Sequence, residues 1–409
     1  MRVALVGPYP AQSPRSPSGD GVLASASPAG GVDAVLLALA RGLVQRGGLT
    51  LSVITAVPGL QETKSLEGEG YRVYCVPRPR GGRLTGQRQV VRNLCAQIDA
   101  VAPDIVHAHI AGVYGRAALD SGRAAVVTLH GIIYREMQQA WATSSWPARL
   151  RWLADARLER NVVRQARDIV AISPYVLTQV RVQRGAQFHL IENPVDDRFF
   201  ADVPPPPETD RLLCVARVIP RKGIVALIEA FAGIRRVRQN ATLDIVGEMD
   251  SHPGYVAECR ERARALGVDG AVTFAGALPI DQVRAQCAAC DLFVLASEQE
   301  TAPVSIAEAM AMGRAVVATD VGGCSAMVAE GVTGRIVPPR DPRAFADAVL
   351  ALLSDRALCA AMGQAARRAA QERFALRSVA DATAGLYGAI MDRNDQEREM
   401  RRTSDRGVH

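Results

Sequence analysis

Residues 298–313, EQETAPVSIAEAMAMG, put one carboxylate, Glu300, in a polar loop and a second, Glu308, eight residues later in a helical run. The apolar DLFVLAS just before them reads as a strand. A helix entered from a strand in this way aims free backbone N–H groups and a positive dipole end at whatever lies off the strand's carboxyl end. Such an end takes anions, phosphate above all. Glu308 could accept from both hydroxyls of a ribose there, and Glu300 from the hydroxyls of a sugar. Ser305 with Glu308 three residues on also spells a capping box, in which Glu308 would only satisfy backbone donors. The sequence leaves both roles for Glu308 open.

A second anion feature is CVARVIPRKGIVALIEAF. Arg217 and Lys222 flank a turn broken by Pro220 and Gly223, and two cations beside a helix start can neutralise a diphosphate leaving group; the alternative is a pair of solvated loop cations. Lys64 and Lys222 are the chain's only lysines. In PAGGVDAVLLALARG, Gly30 and Gly31 open a helix after a long Ser-, Pro- and Gly-rich loop, and paired glycines allow close backbone approach to a ligand or a plain turn. His107, His109 and His130 lie at strand ends. His130, before a glycine, could reach a reacting centre or a sugar hydroxyl, whereas His107 reads as a hydrogen-bonded core residue. No carboxylate is spaced to complete a metal site with these histidines. The first strand is followed by no GxGxxG, which removes the main support for a dehydrogenase. Asp-x-Asp, the usual sign of a cation holding a nucleotide diphosphate, is absent from the chain.

These residues need a scaffold of strand ends. Apolar runs at 3–6, 51–55, 71–76, 105–107, 125–129, 169–172 and 189–191, then at 212–216, 243–246, 272–274, 292–296, 315–318 and 334–337, alternate with amphipathic helical stretches. Strands buried on both faces and each followed by a helix predict doubly wound parallel sheets, and two in tandem predict an α/β protein of two Rossmann-like domains facing a central cleft. Residues 1–200 form the first domain and 201–373 the second. The hinge is expected in ADVPPPPETD, 201–210, a stiff proline-rich spacer. A helix over 374–391 should precede a disordered charged tail, 392–409.

The chain has 409 residues, 48% of them hydrophobic, enough for two cores. Its formal net charge of +6 suits anionic ligands or anionic lipid, but no basic and aromatic stripe points to nucleic acid. Eight scattered cysteines suit buried thiols in a reducing compartment, and Cys287 with Cys290 runs into a strand, favouring core packing over redox or metal chemistry. With no long apolar run and no signal-like N-terminus, a cytoplasmic location is expected. All three tryptophans fall in WATSSWPARLRW, 141–152, which reads either as a helix covering the sheet, the favoured reading, or as an aromatic and basic contact with the inner face of a membrane.

Together GGVDAVLLALARGLVQRG, PDIVHAH, VVTLHG, DIVAISPYV, LIENPVDDRFF, VARVIPRKG, DIVGE, VTFAGAL, ETAPVSIAEAMAMGRAVVATDVGG and VTGRIVPPRDP resemble the retaining glycosyltransferases of family 4, which have the GT-B fold. The resemblance covers most of the chain and is sharpest at Glu300 and Glu308 before AMAMG. It implies a metal-independent transferase without a cofactor, moving a sugar from a UDP- or GDP-type donor to a glycan, lipid-linked or small-molecule acceptor hydroxyl. By the same resemblance Arg217 and Lys222 would hold the diphosphate, Glu308 the ribose and Glu300 the sugar, with Thr301, Ala302, Pro303 and Val304 around them. The Gly31 backbone would approach the phosphates, His130 would lie near the site of attack, and Gly276 to Leu278 would meet the base. The sequence departs from the family at Thr301, Ala302 and Pro303, where a glycine-rich turn is common; Pro303 removes one N–H donor. Alternatives are a non-catalytic sugar-nucleotide-binding partner of a glycan assembly complex and a GT-B nucleotide-sugar epimerase. Oligomeric state is not legible.

Overall fold

The computed structural model describes residues 1–10, 31–79, 83–141, 144–201 and 203–406. Gly30 and most of the long loop before it lie outside the described residues.

The first sheet comprises β1 (Arg2–Val6), β2 (Thr50–Pro58), β3 (Lys64–Glu67), β4 (Arg72–Arg78), β5 (Ile105–His109), β6 (Ala124–Leu129), β7 (Asp168–Ala171) and β8 (Gln187–Leu190). Their order is β3-β4-β2-β1-β5-β6-β7-β8. All pairings are parallel except β3 with β4. The strand β3, KSLE, went unread because it is short, polar and on the edge, as edge strands that resist further pairing tend to be. The second sheet, all parallel, holds β9 (Arg211–Val215), β10 (Thr242–Val246), β11 (Val272–Gly276), β12 (Leu292–Leu295), β13 (Ala315–Thr319) and β14 (Gly334–Val337), in the order β11-β10-β9-β12-β13-β14.

Burial explains the strand sequences. In β12, Leu292, Phe293, Val294 and Leu295 are all buried because helices cover both faces. In both sheets the chain order reverses beside the first strand, at β1/β5 and β9/β12. Ligands of open α/β sheets bind off the carboxyl ends of strands at such switch points.

Two boundaries differ from the sequence reading. Val195 and Phe199 already belong to the second core. The passage between domains is earlier, where Val195 pairs with Ala375 in an isolated bridge and its N–H donates to Phe374 O. The proline-rich stretch is no free spacer: Arg314 donates to Pro204 O at 2.8 Å, and the N–H groups of Glu208 and Thr209 donate to Asp291 at 2.7 and 3.0 Å. Arg314 and Asp291 are fully buried, so each needs these backbone partners.

The tail also departs from expectation, because one helix runs from Leu376 to Arg406. Side chains beyond Met391 hold it to the first domain: Arg393 pairs with buried Asp168, and Glu397 with Arg167. The helix's apolar residues, Tyr387 and Ile390 among them, complete the core under β1 and β2. No helix among the described residues is long and apolar enough to cross a membrane.

Candidate active site

The strand β9 ends in a turn over Pro220–Lys222, and β12, its neighbour in the sheet, ends in the loop that carries Glu300. Lys222 and Glu300, seventy-eight residues apart in sequence, meet as a buried ion pair. The Ser297 hydroxyl donates to the same carboxylate oxygen at 2.7 Å, and Arg221 stands 4.0 Å from the other. Burial alone would raise this acid's pKa; the charges of Lys222 and then Arg221 overcome it and hold the carboxyl below its usual range. Glu300 is therefore ionised and enclosed, not open on the loop as the sequence suggested.

Two glycines make this packing attainable. Gly223, at φ +62°, starts the helix Ile224–Val237 so close to β12 that an added Cβ would lie 2.0 Å from Ala296 O. At Gly322, φ +58°, it would lie 1.6 Å from Glu300 O.

Glu308 has the opposite surroundings. It is half-buried in the helix Val304–Ala311, and no described residue hydrogen-bonds its carboxyl group. Burial, with the negative charge of Asp196 behind it, pushes its pKa up to about 7. The N-cap of this helix is Pro303 and Ser305 lies inside it, so the capping box is not formed. That leaves Glu308 without a structural duty at the helix start.

Arg217 is exposed past the end of β9, without an ion-pair partner among the described residues. The sequence reading set Arg217 and Lys222 together over one ligand; in the structure Lys222 pairs with Glu300 while Arg217 is exposed. Gly276, at φ +73°, ends β11 and accepts from Gly247 N–H, and Leu278 packs on the edge of the second core. Thr301 is tied across the cleft, its carbonyl accepting from Ser173 Oγ at 2.7 Å, while Ala302 touches the cores of both domains.

In the first domain Gly31, at φ +98°, caps the helix Val32–Arg46. The three histidines stack: ring centroids are 4.4 Å apart for His107 and His109 and 5.1 Å for His109 and His130. His107 bonds Tyr387 Oη and Thr128 Oγ1, both at 2.6 Å, the core role expected of it. His109 Nδ1 bonds His130 Nε2 at 2.9 Å. Burial lowers all three pKa values, to about 3 for His107 and about 4 for His130, so the stack is neutral near pH 7. His130 Nδ1 and His109 Nε2 are buried with no hydrogen-bond partner among the described residues.

Residues 29–199 match the model described as Glycosyltransferase Family 4, and residues 195–369 the one described as Glycosyl transferases group 1. The chain belongs to this glycosyltransferase family. A GDP-mannose-dependent alpha-(1-6)-phosphatidylinositol monomannoside mannosyltransferase of Mycobacterium tuberculosis is 35% identical over 167 residues, 39% of this chain and 42% of that protein. Alpha-D-kanosaminyltransferase of Streptomyces kanamyceticus is 31% identical over 179 residues, 44% of this chain and 45% of that protein. These matches thus span less than half the length of either relative. Two solved structures share the fold at low identity. Sucrose-phosphate synthase from Thermosynechococcus elongatus has a TM-score of 0.76 at 22% identity, covering 96% of this chain and 99% of that one. Anabaena HepE in complex with UDP and glucose has 0.69 at 21%, covering 95% and 100%.

Several residues of the candidate site were missed in the sequence. Arg221 adjoins Lys222 and was passed over because arginine is so abundant here. Ser297, Gly322 and Ser173 act through contacts with the 300–302 loop that no local pattern announces. Cys287 and Cys290 are free and buried, their thiols pushed up in pKa by burial, in keeping with core packing.

Proposed function

We propose that the protein transfers a sugar, with retention, from a UDP- or GDP-type nucleotide-sugar to an acceptor hydroxyl in glycan, polysaccharide or glycolipid synthesis. The observation that carries this is the contrast between two acids off adjoining elements: Glu300 charged and paired, Glu308 half-buried with no hydrogen-bond partner for its carboxyl group among the described residues. Ligand hydroxyls would supply the donors that Glu308 lacks, which suits a ribose diol. Glu300, through its free lone pairs, would accept from the transferred sugar. Exposed Arg217 and the ammonium of Lys222, with the N–H groups opening the helix Val304–Ala311, would stabilise the diphosphate as it leaves, so that no divalent cation is needed. Gly31 would bring backbone close to the same phosphates, and the Gly276 to Leu278 segment would meet the base. His130, neutral and with Asn193 beside it, would hydrogen-bond the sugar near the site of attack without acting as a strong base. The departing diphosphate would take the acceptor's proton.

The relatives support this reading, being named for transfer from GDP-mannose and for transfer of kanosamine, and HepE is described with UDP and glucose. The test is an NMR assay of the product's anomeric configuration, with UDP- and GDP-sugars, an acceptor panel and chelator present. Transfer with the donor's anomeric configuration kept is expected. Conversion of the donor alone would favour an epimerase, and inversion would overturn the mechanism.

A further inference from the structure

A cavity of about 750 Å³ opens at the carboxyl ends of β1, β4, β5 and β6, on the first-domain side of the cleft. Its size is that of a small-molecule site. Ile110, Val113, Tyr114, Ile133, Leu150 and Leu158 supply much of its wall. A sugar needs hydrogen-bonding walls, yet the lining amide and acid, Gln87 and Asp155, bond each other at 2.8 Å. The cations Arg78 and Arg151 line it too, both exposed, and neither has an ion-pair partner among the described residues.

Two further observations point to a ligand here. Ile110 adopts φ +101°, a conformation that strains a β-branched residue, and is fixed there by its N–H donating to Thr128 O and its carbonyl accepting from Gly115 N–H. The apolar wall also continues outward. The helix Trp146–Gln165 was expected to cover the sheet, but it buries Ala156, Glu159, Val162 and Val163, and leaves Trp146, Leu150 and Leu153 exposed at 68%, 51% and 43%. These three are spaced to share one helix face. Leu150 belongs to both the stripe and the cavity lining, so the exposed apolar stripe adjoins the cavity.

We propose that the acceptor is an amphiphile whose apolar body fills this cavity and whose anionic group meets Arg78 and Arg151. The proposal rests on the transferase reading and names its acceptor class. A soluble amphiphile and one drawn from a bilayer share this chemistry.

The probe is n-decyl phosphate below its micelle concentration, with inorganic phosphate and an uncharged decyl glycoside as controls, read by tryptophan fluorescence and calorimetry; UDP and GDP binding are measured on the same samples. Decyl phosphate should bind more tightly than either control. Leu150→Glu and Arg151→Glu, both at exposed positions, should each weaken it by about tenfold, roughly 1.4 kcal/mol, and leave nucleotide binding unchanged. Cosedimentation with phosphatidylglycerol vesicles that Leu150→Glu abolishes would assign the bilayer as source; binding of the monomer without cosedimentation would assign a soluble acceptor. Nucleotide binding without decyl phosphate binding, or decyl phosphate binding indifferent to both substitutions, overturns the proposal alone. If neither nucleotide nor decyl phosphate binds, the transferase reading fails with it.

Discussion

Glu308 carries a prediction in which stability and function move in opposite directions. Its folded pKa of about 7 lies above the ordinary value of 4.5, so folding takes up a proton between those values. The stability this gives is complete below pH 4.5 and lost as pH rises through 7. Glu308→Gln should therefore raise the unliganded protein's stability at pH 8 by about 1–3 kcal/mol, with the gap closing towards pH 4.5, as followed by urea unfolding. A residue acting as a cap would give a loss at every pH. Lys222 behaves differently, since Lys222→Ala leaves buried Glu300 without its nearest cation. A loss of about 3–5 kcal/mol is expected; adding Glu300→Gln should restore most of the stability and none of the transfer activity. The histidines yield a spectroscopic check: the imidazole nitrogens of His107, His109 and His130 should still report neutral rings at pH 5.5.

At the scale of elements, the loops after β9 and β12 form one assembly because β9 and β12 are neighbours at the switch point. The glycines set how closely these loops pack. Gly322→Ala should displace the Glu300 backbone, lower the melting temperature by several degrees and reduce kcat/KM by at least about tenfold. An unchanged melting temperature would show that the 300–302 loop yields freely. The strands were legible because double burial writes itself as continuous Val, Ile and Leu runs. Glu300 and Glu308 were legible because they share one strand-loop-helix unit. The Lys222–Glu300 pair was not, since a contact across seventy-eight residues depends on strand order, which periodicity does not encode. The capping box stayed open in the sequence because Ser305 and Glu308 have the right spacing; only the helix start at Pro303 shows that Ser305 is already inside the helix.

For the whole molecule, the C-terminal helix fastens the two halves. It leaves the second domain near Val195 and Ala375, sends Tyr387 to His107 beneath the first sheet, and ends its hold at Arg393 and Glu397. The charged tail looked disordered because its composition is that of a solvated segment, and its partners, Asp168 and Arg167, are more than two hundred residues away. Arg393→Met should strand the buried Asp168 carboxylate with only His189 beside it, costing about 2–4 kcal/mol in chemical unfolding. Nucleotide binding by Glu308 is tested by calorimetry of UDP and GDP with the wild type and Glu308→Gln, in chelator. The wild type should bind one nucleotide without metal, and Glu308→Gln, folded and no less stable, should bind it about 10–100-fold more weakly through loss of a charged hydrogen bond to the ribose. Equal binding by both would contradict it.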